Sequence, residues 1–290
     1  VGVLFLEGGQ ADLSSGSGEL LQTLALEAST VLENARLLEE ERQKQRLDEE
    51  LSIARQIQQS LLPDTLPSEG WFRAAGSSIP SHQVGGDYFD IRLIAPDCWS
   101  TVVADVSGKG VSSAILASLL QGAFLGGSAD PAQMPELISR INHYVLERAK
   151  GEKYATILYA LLDATGRLSW VNAGHCTPIV VKPDGRWGRL ETNGLPVGMI
   201  EPAQFVVHQI QIEARDKIVL YSDGLTDAQN LDSQFFGSRR VRDVVQANAA
   251  GDCRQLHDRL IEAVRAFTEG GVASDDITVV VLEYLPQTPA

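Results

Sequence analysis

The apolar positions of this chain follow two rhythms. Over residues 19–62 they recur every three or four places, at Leu21, Leu24, Ala28, Val31, Ala35 and Leu38. After a charged patch at 39–46 the rhythm resumes at Leu47, Leu51, Ala54, Ile57 and Leu61. These are the seam spacings of a coiled coil, with a phase break inside the charged patch. Such a stripe either packs on the helix's own domain or pairs with a second copy. No other core flanks it in sequence, so pairing in a homodimer is the expectation. Pro63 and Pro67 end the helix.

From Trp71 onward the rhythm shortens. Strand-like runs fall at 72–77, 88–93, 99–104, 155–163, 167–172, 178–182, 205–212, 217–222 and 277–284. Helical spacing interrupts them at 111–125, 134–150, 238–249 and 253–269. Ala164-Thr165-Gly166 and Pro183-Asp184-Gly185 have the chemistry of hairpin turns. Clustered strands with clustered helices predict an α+β domain, two sheets with helices packed outside, rather than a βαβ repeat. Residues 1–6, Val-Gly-Val-Leu-Phe-Leu, read as a strand met part-way. The expectation there is a piece of a longer protein.

Composition narrows the function classes. The 290 residues are 44% hydrophobic and suffice for a real core. No apolar run reaches bilayer length, so no membrane partner is expected. The net charge of −14 disfavours nucleic acid, whose phosphates need basic patches. The three cysteines, Cys98, Cys176 and Cys253, lie far apart with no CxxC spacing. That argues against zinc or a disulfide framework and fits a reducing cytoplasm. Nor does any of them open a phosphate-cradling CxxxxxR loop. Only Cys253 has an arginine, Arg259, at that spacing, and the stretch between is helical and free of glycine.

The candidate chemistry lies in acids at strand ends. Ala104-Asp105-Val106-Ser107-Gly108-Lys109-Gly110 leaves a lone carboxylate after an apolar strand and before a small-residue helix. An unpaired carboxylate is costly there. It serves either as a helix cap or as a ligand for a cation. Three further acidic sites share its setting: Asp87 after Gly85-Gly86, Asp223 after the strand 218–222, and Asp275-Asp276 before the strand 277–284. If those strands are neighbours, the acids repel one another unless a cation neutralises them. All-oxygen ligands suit Mg²⁺ or Mn²⁺.

Five stretches in order carry a resemblance. They are Gly85-Gly86-Asp87-Tyr88-Phe89-Asp90, residues 104–110, Asn172-Ala173-Gly174-His175, Tyr221-Ser222-Asp223-Gly224 and Asp275-Asp276-Ile277-Thr278. Together with the entry segment 54–63 they resemble the bacterial SpoIIE/RsbU-like branch of the metal-dependent protein phosphatases (PPM, type 2C-like). The resemblance covers roughly residues 52–284. It implies a β-sandwich flanked by helices, with two Mn²⁺ or Mg²⁺ ions at one edge. Asp105 would bridge both ions and the Val106 carbonyl would bind one of them. Asp87 would serve that same ion, directly or through water. Asp223 and Asp275 would complete the other, with Asp276 ranked behind Asp275. Asp90 would be a strand-surface or supporting residue. The implied activity is hydrolysis of phosphoserine or phosphothreonine on a partner protein, a STAS-type anti-anti-sigma factor being the expected substrate.

The pattern departs from the eukaryotic members. They carry a histidine where Ser107 stands, and an N-terminal arginine with no counterpart here, so the general acid is unassigned. His175 is better explained as a loop-holding histidine than as that acid. Lys109 steers phosphate or is a solvated turn lysine, and Gly108 keeps the rim open. The strand 1–6 and the following helix are similar to the last strand and helix of a GAF sensory domain. The division expected is therefore 1–18 a GAF remnant, 19–66 a helical linker that dimerises and switches, and 67–286 the phosphatase domain. Two competing interpretations are a nucleotide cyclase and an inactive binding module. The cyclase signature needs a second acid where Tyr88 stands. The inactive module is the surviving alternative, although all the expected acids are present.

Overall fold

The computed structural model describes residues 15–191, 194–269, 271 and 275–286. The strand expected at 1–6 lies outside them. The chain divides into two units, residues 1–54 and 55–290. Helix α1 (Ser15–Leu61) makes up the described part of the first unit and continues into the second. The helix runs unbroken through the charged patch, so the phase break shifts the apolar stripe without ending the helix. Leu24, Val31 and Leu38 on that stripe are all exposed. Among the described residues no helix is long and apolar enough to cross a membrane.

The second unit is built on two five-stranded antiparallel sheets. Its strands are β1 (Phe72–Ile79), β2 (Asp87–Ala95), β3 (Cys98–Val106), β4 (Ala155–Asp163) and β5 (Arg167–Ala173). They continue with β6 (Ile179–Val181), β7 (Trp187–Arg189), β8 (His208–Gln211), β9 (Lys217–Tyr221) and β10 (Ile277–Tyr284). One sheet has the order β1-β10-β9-β6-β7, the other β2-β3-β4-β5-β8. Helices α2 (Val111–Phe124) and α3 (Met134–Ala149) follow β3. Helices α4 (Asp223–Asp227), α5 (Gly237–Ala247) and α6 (Cys253–Phe267) lie between β9 and β10.

Side-chain alternation explains the layering. Val280 and Leu282 of β10 meet Phe89, Val103 and Leu158 in the core between the sheets. Val279 and Val281 point the other way, onto Leu256 and Leu260 of α6. In the second sheet, Val102, Ala104 and Tyr159 pack outward against Leu120 of α2 and Ile138 and Val145 of α3. Both faces of each sheet are covered, which is why β3, β9 and β10 read as near-continuous apolar runs. Burying one such Val or Leu side chain contributes about 1.5–3 kcal/mol.

The expected α+β sandwich with outer helices is therefore what the chain forms. Two elements escape the sequence pattern. β7 is a three-residue strand with every residue exposed, so it carries no apolar rhythm. α4 is five residues long, too short for a helical repeat to register. The β8 region is shorter than the run 205–212, because Phe205 turns into the α3 side of the core and Ile212 into the core between the sheets.

Candidate metal centre

β2 and β3 are hydrogen-bonded in a register that sets Asp87 directly opposite Asp105. Like charges in that relation are destabilising. Asp87 is buried and its Oδ2 has no hydrogen-bond partner. Gly86 sits against β3 so closely that a Cβ on it would lie 2.7 Å from the Val106 carbonyl oxygen. The Gly86 carbonyl accepts from Val106 N at 3.3 Å. Only glycine lets the Asp87 loop rest on the carbonyl that follows Asp105.

The other acids arrive from the neighbouring sheet. Ser222 follows β9, and its Oγ accepts from Thr278 N at 3.0 Å and donates to the Asp276 carbonyl at 3.1 Å. This stitches the end of β9 to the start of β10. Asp223 opens helix α4 rather than ending the strand, and its side chain is exposed. Asp275 is half-exposed. Its Oδ2 lies 3.9 Å from Lys109 Nζ, which ties it to the Asp105 turn. Asp276 is buried and already engaged: its oxygens accept from Ser81 N, Ser81 Oγ and Gly86 N at 2.7–2.9 Å.

Electrostatics records the crowding. Burial, then the charges of Asp223, Asp275 and Asp276, push the Asp105 carboxyl up to about 7. Burial and then Asp105 hold Asp87 well above the usual carboxylate range, against the hydroxyls of Thr278 and Ser222. Burial and Asp275 raise Asp223 as well. Burial, then the charges of Asp223, Asp105, Asp227 and Asp87, push the Cys176 thiol up to about 12, which disfavours its thiolate.

The donor chemistry fits a hard divalent cation: carboxylates of like charge, one orphaned buried oxygen, and no sulfur or imidazole among the expected ligands. Among the described residues, however, no three acid, histidine or cysteine side chains close on one point at ligating distance. Holding an ion asks for side-chain rotation, which exposed Asp223 and half-exposed Asp275 permit.

His175 behaves as a loop holder. Its N–H donates to Asn172 Oδ1 at 2.7 Å and its carbonyl accepts from Asn172 Nδ2 at 3.0 Å. Its Nδ1 meets Thr156 Oγ1 at 2.7 Å, and Thr156 stands opposite Asp105 on β4. Burial lowers the imidazole to about 4, so it is neutral at pH 7. Asp90, half-buried on β2, accepts from the Ile91 N–H at 2.8 Å.

Two residues at the site lie outside the five motif stretches. Lys153 Nζ donates to the Ser107 carbonyl at 2.7 Å and to Ser113 Oγ at 3.0 Å, bracing the turn on which Gly108 lies exposed. Gln58, in the last turns of α1, donates to the Gly85 carbonyl at 2.7 Å and accepts from Gly85 N at 3.0 Å. Its place within the entry segment 54–63 was the available hint.

Residues 95–285 match the family model described as Stage II sporulation protein E (SpoIIE). That span contains Asp105, Asp223 and Asp275 and begins after Asp87. Protein IcfG of Synechocystis sp. is 27% identical over 259 residues, covering 80% of this chain and 41% of IcfG. Phosphoserine phosphatase RsbU of Bacillus subtilis is 22% identical over 241 residues, covering 82% of this chain and 71% of RsbU. The chain thus spans under half the length of the first and most of the second. Among solved structures, the SiaA-PP2C domain of Pseudomonas aeruginosa superposes with a TM-score of 0.72 at 20% identity, over 83% of this chain and 98% of that domain. That likeness shows a shared fold.

Proposed function

The chain belongs to the SpoIIE family, and on that premise we propose that it is a metal-dependent protein serine/threonine phosphatase. Its substrate is phosphoserine or phosphothreonine on a partner protein of the STAS anti-anti-sigma type. The observation that carries this reading is Asp87 opposite Asp105, with an orphaned oxygen on the first and a carboxyl raised to about 7 on the second. A buried carboxylate facing a half-buried one in such register supports a cation as their neutralising partner. Asp105 with the Val106 carbonyl and Asp87 would hold one Mn²⁺ or Mg²⁺, and Asp105 with Asp223 and Asp275 a second.

Such an ion pair supplies a water of lowered pKa and charge stabilisation at phosphorus. The remaining work belongs to the chain. The Asp105 turn, braced by Lys153, presents its exposed rim to the phosphoprotein. Lys109, beside Asp275, meets the phosphate oxygens. Water attacks phosphorus in line, and the serine or threonine oxygen leaves. His175 is buried and neutral at pH 7, so the leaving oxygen takes its proton from elsewhere.

The domain division 1–18, 19–66 and 67–286 belongs to this reading, with a GAF-like sensor before a helix that pairs two copies. The exposed stripe of α1 supports the pairing, and the Gln58–Gly85 amide bridge supports coupling to the loop that carries Asp87. Exchanging Leu51 and Ile57 for aspartate then changes both oligomeric state, by sedimentation, and phosphatase rate. No change in either sinks the coupling.

The competing reading is an inactive binding module, favoured by the absence of three converged ligands among the described residues. Mn²⁺-dependent release of phosphate from a phosphoserine protein, lost in D105N, separates the two. Metal-bound protein without turnover on the true phosphoprotein partner would support the module.

A further inference from the structure

The connection from β1 to β2, residues 80–86, has no regular structure, yet it is held at both ends of its approach to the acids. On one side stands Gln58, bonded to Gly85. On the other stands Asp276, the residue before β10. Oδ1 of Asp276 accepts from Ser81 N at 2.7 Å and from Ser81 Oγ at 2.9 Å. Its Oδ2 accepts from Gly86 N at 2.7 Å and, more weakly, from Asp87 N at 3.5 Å. A carboxylate offers about four acceptor positions, and this one meets four donors. The fit is close as well: a Cβ on Gly85 would lie 2.6 Å from Oδ2.

Its neighbour Asp275 is arranged differently. That side chain is half-exposed. Among the described residues one oxygen accepts from the Asp276 N–H at 2.9 Å, and the other faces Lys109 at 3.9 Å. Adjacent acids thus have opposite postures, one committed to protein donors and one turned towards the rim. A ligand needs lone pairs aimed at the ion, and Asp276 has spent its own on the loop.

We propose that Asp276 is a positioning residue, which clamps the Ser81–Asp87 loop to the start of β10 and so fixes where the Asp87 carboxylate stands, and that it does not itself bind an ion. Ser81 is its counterpart, supplying two of the four donors. The clamp stands on this geometry; its effect on metal binding rests on the reading of the site given above.

Two measurements test it, hydrogen–deuterium exchange on metal-free protein and calorimetric titration with Mn²⁺, on D276N and S81A. D276N places an NH₂ against donor N–H groups. S81A removes one donor and leaves every carboxylate in place, so it carries the test if D276N fails to fold. The expected result is faster exchange across 81–87 in both variants. Mn²⁺ affinity should fall about 10–100-fold, the usual cost of losing a group that orients a ligand, with the number of ions bound unchanged. Loss of one bound ion in D276N, with S81A binding and exchanging as the parent does, would overturn the proposal and make Asp276 a ligand. Faster exchange in both variants of a protein that binds no Mn²⁺ would uphold the clamp and sink the metal reading instead.

Discussion

Two ends of the same sheet bury charge in opposite ways. At the Tyr284 end of β10, Glu283 faces Lys217 of β9 directly in register. Lys217 is fully buried and Glu283 nearly so, with Nζ and Oε1 3.8 Å apart. Each finds further partners: Lys217 Nζ donates to the Ala249 carbonyl at 2.9 Å, and Glu283 Oε2 accepts from Cys253 N at 3.1 Å. The pair fastens the end of α5 and the start of α6 to the sheet. At the Ile277 end acids outnumber the one nearby lysine, Lys109 beside Asp275, and across the gap Asp87 faces Asp105 with an oxygen unpartnered. Opposite charges with filled hydrogen bonds hold a fold together. Like charges with an orphaned oxygen hold it together only with a cation present, and are a cost that function explains.

Breaking the acid end should show most in activity. D105N is expected to lower Mn²⁺-dependent hydrolysis of p-nitrophenyl phosphate by more than about 100-fold, since it removes the carboxylate assigned to both ions. The same substitution should raise the melting temperature of metal-free protein, because it relieves the repulsion with Asp87. Breaking the paired end should do the reverse. K217M leaves Glu283 buried and uncompensated, at a cost of about 3–5 kcal/mol. Denaturant unfolding measures that loss, and the folded fraction should keep its turnover.

A smaller effect sharpens the contrast. Divalent cation at about 100 times its dissociation constant should stabilise the parent by about 2.7 kcal/mol, read as a melting shift that EDTA reverses. D105N should show little of that shift and K217M all of it. The gentlest test is pH. Asp105 is raised in the folded state from an ordinary value of 3.8 to about 7. It therefore contributes stability at low pH that is lost as pH rises from about 4 through 7, at most about 1.4 kcal/mol per pH unit for this one group. His175 works from the other side. Its folded value of about 4 lies below the ordinary 6.5, so its contribution is present above 6.5 and lost as pH falls towards 4. Denaturation of metal-free protein between pH 6.5 and 7.5 should thus show declining stability that D105N makes shallower, with buried Asp87 supplying the remainder, and that added Mn²⁺ removes.

Much of this contrast was legible along the chain, though unevenly. The strands 155–163 and 277–284 begin and end where their apolar runs do, because each is buried on both faces. The acids stood out as polar interruptions at the ends of such runs. Lys217 and Glu283 stood at strand ends too, and nothing local distinguishes them from surface charges until their partners are known. Lys153 gave no signal at all, because it acts through the Ser107 carbonyl and Ser113, on elements that the chain places 40 and 46 residues away.

The sequence alone determined most of the strands and helices, which faces would be buried, and that four acids would stand beside strand ends. Burial imposes a periodicity that any stretch of chain must display locally. Tertiary structure alone decided which acid is free and which is spent. Asp275 and Asp276 are adjacent in sequence and alike in type. What separates them is a loop 190 residues upstream in the chain, whose Gly86 N–H lies 2.7 Å from one carboxylate and not from the other. A hydrogen bond is specified by the position of its donor, and only the folded sheets bring that donor there.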